Sequence, residues 1–313
     1  MAHELDMTNG KAAMAYVGDK PWHGLGQSLT EGASIETWVQ EAGMDFSIES
    51  GEITYPVNGK LRCMADKQVL YRNDTGDALG VVGQHYQVVQ PKEVLEFFRD
   101  LTEDRGFILE TAGVLFNGAK YWALARTPHS MILPGNDQVK EHLLLGTACD
   151  GSMATTARYV RTRVVCNNTI QAALRESGAF VRVEHRSKFN DKQVKKELGL
   201  IEENWHQFEE QAQAMAKAKV DQKAAADFLI GLFGNPEKLL EEQTASTVKE
   251  LLDRFTLHNY LGAQDTVWGL VNCITENVDH HRGELQDRRL KSAWFGPGVE
   301  LKQRVFSKAL DLI

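Results

Sequence analysis

Residues 107–126 read FILETAGVLFNGAKYWALAR. Two apolar runs flank Asn117-Gly118, and Asn-Gly is a strong hairpin signal because both residues accept the positive φ of a type I′ turn. Phe107 to Leu115 and Tyr121 to Arg126 therefore read as paired antiparallel strands. Working outward, His142 to Thr147 is a further apolar strand, Asp150-Gly151-Ser152 a turn, and Thr156 to Cys166 another strand. On the other side, Phe46 to Val89 alternates with period two and breaks at Gly and Asn-Asp turns, which reads as a meander of short strands. Ser34 caps a short helix that presents Ile35, Trp38, Val39 and Ala42 on one face. Pro91 opens another, with Val94, Leu95, Phe97, Phe98 and Leu101 as its apolar stripe.

Past residue 190 the pattern turns helical. Ile201, Trp205, Phe208, Ala212 and Met215 recur at spacings of four and three, a coiled-coil-like seam. It suits packing within the chain and pairing with a second copy equally, and a homo-oligomer is the expectation. Asn168 with Gln171 reads as a capping-box helix start, and Asn235-Pro236 places proline at a first helical position. Thr247 to Phe255, Gln264 to His281 and Val299 to Leu312 are further helices. The fold class is thus α+β, an antiparallel sheet with flanking helices followed by an all-helical C-terminal region. The division is 1–190 for the α+β body and 191–313 for the helical region, packed on that body or on a neighbouring subunit.

The 313 residues carry a formal charge of −8, which excludes a protein coated throughout in basic surface. Cys63, Cys149, Cys166 and Cys273 show no metal-ligand spacing and fit a reducing cytosol. The first residues carry acids and no apolar run, so no signal peptide is expected. No stretch approaches the roughly 18 apolar residues of a membrane span, so no membrane partner is expected. The expected location is the cytoplasm of a bacterial host cell. No Walker-type loop, strand-to-helix GxGxxG or GxSxG elbow is present, and no cofactor is expected.

Several segments occur together: residues 21–26 (PWHGLG), Asp150-Gly151-Ser152, residues 163–169 (RVVCNNT), residues 272–280 (NCITENVDH) and residues 292–296 (SAWFG). In this order they resemble the phage/plasmid-like protein family, classified as domain of unknown function 932. The resemblance spans nearly the whole chain. It implies carriage by phages, plasmids and their bacterial hosts, and it brings no activity or catalytic residue set.

Charge is unevenly spread. Residues 150–200 hold ten basic and five acidic side chains, a local +5, and the other 262 residues carry −13. Alternation along Thr156 to Cys166 places Tyr159, Arg161 and Arg163 on one face, expected to be exposed, and Arg158, Val160 and Val164 on the other, expected in the core. An aromatic ring beside guanidinium groups suits single-stranded nucleic acid, whose bases stack and whose phosphates need cations. Arg158, Arg182, Arg186 and Lys188 would steer phosphate. The same arginines also suit simple pairing with acids across a sheet.

Other clusters are weaker. Glu276, Asp279 and His280 share a helix face and could supply metal ligands, but they lack an HExxH or EF-hand pattern, and hydrogen bonds or an ion pair explain them more simply. Trp22-His23-Gly24 reads as a pin for an N-terminal arm. A Cys149 nucleophile with His142 is conceivable, although cysteine after an apolar strand is more often core. The expected function is therefore non-enzymatic: a mobile-element protein binding nucleic acid, as in single-strand DNA binding or annealing during recombination or replication. The alternative is a protein-binding effector whose acidic surface engages a host defence or replication factor.

Overall fold

A computed structural model of the chain describes residues 5–8, 10–18, 20–21, 24–163, 169–170, 180–202, 204–233, 246–257, 263–282, 292 and 296–313. The first elements are strands β1 (Met7–Thr8), β2 (Lys11–Ala12), β3 (Met14–Val17) and β4 (Gln27–Leu29), then helix α1 (Ile35–Glu41). Strands β5 (Ile48–Val57), β6 (Lys60–Arg72) and β7 (Ala78–Gly83) follow, then helices α2 (Pro91–Glu96) and α3 (Arg99–Asp104). Next come β8 (Ile108–Leu115), β9 (Lys120–Leu133), β10 (Asp137–Ala148), β11 (Thr155–Arg163), β12 (Thr169–Ile170) and β13 (Phe180–Val183). The remainder is helical: α4 (Asp191–Glu202), α5 (Asn204–Lys217), α6 (Gln222–Phe233), α7 (Ser246–Leu257), α8 (Val267–Glu276) and α9 (Pro297–Ala309). This is the mixed α+β class expected, with antiparallel strands and a helical C-terminal region.

The main sheet has the order β12-β11-β10-β9-β8-β3-β4, and β13 pairs with β11. Its one parallel register among those determined is β3 with β4. A second, three-stranded sheet is the meander β5-β6-β7. Residues 107–126 form the hairpin expected, but its connection is longer than a two-residue turn. Leu115 pairs with Lys120, and Phe116, Asn117 and Gly118 all take positive φ. Gly118 is needed for space as well, because a Cβ there would lie 2.9 Å from Arg72 Cδ. The true two-residue Asn-Gly turn lies at Asn58-Gly59, between paired Val57 and Lys60, with φ of 49° and 75°.

Contacts divide the chain into two units. The first comprises Met1–Pro128, His142–Tyr159 and Phe180–Ile201, and the second His129–Glu141, Val160–Ala179 and Glu202–Ile313. In the first, Ser34 caps α1 by accepting from the Thr37 amide, and Ile35, Trp38, Val39 and Ala42 are buried as their spacing predicts. The helix after Pro91 breaks in two at Phe97-Phe98, yet Val94, Leu95, Phe97, Phe98 and Leu101 all enter the core. Gly113 permits close layering of β3 on β8, since a Cβ there would meet the Trp122 ring at 2.6 Å and the Ala13 carbonyl oxygen at 2.8 Å.

In the second unit the seam residues Trp205, Phe208, Ala212 and Met215 are buried on α5. Phe208 lies 5.6 Å from the Phe306 ring and 6.4 Å from the Trp268 ring. The seam therefore packs within the chain. Met131, Leu133 and Val139, from strands, join the same core. The Trp268 indole donates to Asp137 Oδ2 at 3.0 Å, which satisfies a carboxylate that is fully buried. Thr169–Ile170 is a strand paired with Arg161 and Thr162, not the start of a helix. The rest of that proposed helix, Trp22, His23, Cys166 and Asn235-Pro236 lie outside the described residues.

Candidate nucleic-acid interface

Strand β13 pairs antiparallel with β11 in the register Thr155 with Val183, Thr156 with Arg182, Ala157 with Val181 and Arg158 with Phe180. Residues opposite one another share a face, and successive residues alternate. One face therefore carries Thr156, Arg158, Phe180 and Arg182, and the other Ala157, Tyr159, Val181 and Val183. The second face packs into the core of the first unit. The face expected to be exposed is therefore covered: Tyr159, meant to stack on a base, is buried at 7 % exposure, while Arg158 and Val160 on the other face are buried as expected. A ring so enclosed offers no face to a ligand.

Arg161 is also buried, at 3 % exposure, within the second unit. Its Nη2 lies 2.8 Å from Glu141 Oε1, and its guanidinium sits 4.9 Å over the Phe208 ring. His129 Nδ1 lies 2.9 Å from the other oxygen of Glu141. A buried carboxylate on the neighbouring strand β10 thus claims the charge expected to face solvent. The Arg163 side chain lies outside the described residues.

Arg158 is also buried, at 8 % exposure, but among the described residues no carboxylate lies against it, and its Nε and Nη1 have no hydrogen-bond partner. Burial alone pulls its guanidinium down to about 10 from the usual arginine range. Its Cζ lies 5.0 Å from the centroid of Phe180, which is itself 44 % exposed. A buried cation without a counter-charge is costly, and an anion placed beside it relieves that cost.

Arg182 shares the outer face with this pair, and the segment after β13 is basic. Arg182, Arg186, Lys188, Lys192 and Lys196 are exposed, and none makes an ion pair among the described residues. Residues 182–196 hold six basic side chains against two acidic ones. Lys195 is neutralised by Asp100 and Asp191. His185 anchors the segment: its Nδ1 lies 2.8 Å from the Gln87 carbonyl oxygen, its Nε2 3.2 Å from that of Met153, and its ring stacks on Tyr86. Asn190 then caps α4 by accepting from the Gln193 amide, and Lys192 and Lys196 fall one turn apart on its surface. Phe180 was not singled out from sequence. The signal available was the alternation Phe180-Val181-Arg182-Val183, in which valines point inward and an aromatic shares the outer face with arginine.

The remaining candidates are engaged otherwise. Asp279 Oδ1 lies 2.7 Å from Nζ of Lys302, a lysine with no exposed surface. Glu276 lies 3.7 Å from His281 Nε2. Burial lowers the His281 pKa, aided by Arg254 and opposed by Glu276. No group of three or more His, Cys, Asp or Glu is placed to hold a metal among the described residues. The Cys149 thiol is buried, lies within hydrogen-bonding range of the Gly118 and Ala119 carbonyls, and is pushed up to about 12 by burial and by Asp150. A thiol so protonated is no nucleophile at neutral pH, and His142 Nε2 is bonded to Glu110 at 2.8 Å instead.

Fold and site together define an α+β protein with exposed cations free of ion pairs on one edge strand and the segment after it. The chain belongs to the family described as Domain of unknown function (DUF932), whose model matches residues 78–294. No curated protein and no solved structure matches the chain. Among the described residues no helix is long and apolar enough to cross a membrane.

Proposed function

We propose that this chain is a non-enzymatic nucleic-acid-binding protein that takes a single strand along β13 and the start of α4. The observation that carries the reading is Arg158, a buried guanidinium without a counter-charge beneath the exposed ring of Phe180. A phosphate beside Arg158 would supply the missing charge, and a base would stack on Phe180. Arg182, Arg186 and Lys188 would follow the backbone on either side. Tyr159 and Arg161 hold the strand in place and do not touch the ligand. The resemblance to phage- and plasmid-borne proteins supports a role in single-strand binding or annealing during replication or recombination.

Fluorescence anisotropy with a labelled oligothymidylate at low salt tests this. We expect Phe180→Ala to weaken binding by about 1–3 kcal/mol, the usual worth of one stacked base. The triple variant Arg182→Ala/Arg186→Ala/Lys188→Ala should lose most of the remaining affinity. Absence of binding at micromolar protein, or full binding by the triple variant, overturns the proposal. A stable host protein partner recovered in the absence of oligonucleotide binding would favour the acidic-surface effector instead.

A further inference from the structure

The outer half of the β5–β6 hairpin belongs to no core. Thr54 pairs with Cys63, Tyr55 with Arg62, Pro56 with Leu61 and Val57 with Lys60, closed by the Asn58-Gly59 turn. Every residue from Lys60 to Lys67 is exposed, as are Thr54, Tyr55 and Pro56. Strand β7 pairs only with residues 67–71 of β6, so the four outer pairs form a two-stranded arm. Such a ribbon is marginal in water by itself, since it has no third strand or helix to pack on.

The two faces of the arm differ. Tyr55, Val57, Lys60 and Arg62 share one, and Thr54, Pro56, Leu61 and Cys63 share the other. The first face offers an exposed phenol and two exposed cations, and neither cation makes an ion pair among the described residues. No acid occurs from residue 53 to residue 65. Leu61, at 74 % exposure, leads the second face. Four residues of strand reach about 10 Å at ~3.4 Å per residue. That length matches a major groove ~8.5 Å deep, and the groove's ~12 Å width admits a two-stranded ribbon.

We propose that residues 54–63 form a β-ribbon that enters the major groove of double-stranded DNA, with Lys60 and Arg62 on the phosphate and base edges and Tyr55 beside them. Charge complementarity selects this occupant: the arm is cationic within a chain that is acidic overall. The proposal rests on the arm's own geometry and stands apart from the single-strand site at β13.

The test compares the full chain with Lys60→Gln/Arg62→Gln by anisotropy, using a labelled 20-base-pair duplex and a labelled oligothymidylate across a salt series. We expect duplex affinity to fall about tenfold or more, and the slope of log affinity against log salt to shrink by about 2, one for each lost phosphate contact. Oligothymidylate binding should be unchanged, and circular dichroism and melting should match the parent because both side chains are exposed. A parent that binds no duplex, or a variant with unchanged duplex affinity and slope, overturns the arm. Duplex binding retained in the variant but lost in Arg182→Ala/Arg186→Ala/Lys188→Ala assigns it to β13 and also overturns the arm. Binding to phosphatidylserine vesicles in place of duplex, lost in the same variant, overturns it as well.

Discussion

Arg158 and Arg161 lie three residues apart on β11, and both are buried. Only Arg161 has a carboxylate, Glu141, against it. The two positions therefore call for opposite outcomes. Glu141→Gln leaves the Arg161 charge without its partner in the interior and should cost about 3–5 kcal/mol, read as a fall in denaturant midpoint. Arg158→Met removes a charge that has no counter-ion among the described residues and fills its volume with an apolar chain. Its stability should be unchanged or higher by about 1 kcal/mol, while oligonucleotide affinity falls. A large loss of stability in Arg158→Met would show that the guanidinium is satisfied within the fold and would remove the anion seat. From sequence Arg161 was expected on the exposed face and Arg158 in the core. Only the neighbour across the sheet tells them apart in the fold.

At the scale of elements, local signals were accurate wherever one segment carried the whole pattern. The Ser34 cap, the Pro91 start, the 107–126 hairpin and the Trp205-to-Met215 stripe all appear where their residues place them. Connections were less legible. Asn117-Gly118 sits inside a four-residue link because Arg72 and Phe46 crowd Gly118, a constraint from residues about 45 and 72 positions away. Both faces of β11 are covered, so the face of Tyr159 and Arg161, read as exposed, is buried as well. Alternation shows which residues share a face, and only the covering layers decide whether that face meets solvent. Close approach also sets the requirement at Gly269 on α8, where a Cβ would overlap the Ala263 carbonyl oxygen. Gly269→Ala should destabilise by about 1–3 kcal/mol through this overpacking, against the small gain in helix propensity. A melting temperature equal to or above the parent's would contradict that close packing.

For the whole molecule, charge is the governing quantity. A net −8 repels nucleic acid at long range, and the exposed cations of residues 182–196 must act against it locally. Salt screens both effects, but counter-ion release from the ligand dominates at short range. If three or four phosphates are met at β13, the slope of log affinity against log salt for a single strand should lie near −2 to −3. A flat dependence would mean that the cations of residues 182–196 do not meet phosphate. The two cores add a second lesson. Each contact unit is built from three separated segments, so residues distant in sequence, such as Met131 and Phe306, share one core.

What the sequence determined by itself was the class and the inventory: α+β, helical toward the C-terminus, a family resemblance, and a basic stretch within an acidic chain. These follow from composition and short-range periodicity, which depend on neighbours only a few positions apart. What the tertiary structure decided was which charges are free. Burial and pairing are set by residues remote along the chain, and so Glu141 removes Arg161 from the surface while Arg158 stays uncompensated beneath Phe180. The same physics leaves Tyr55, Lys60 and Arg62 standing clear on an arm that no core covers.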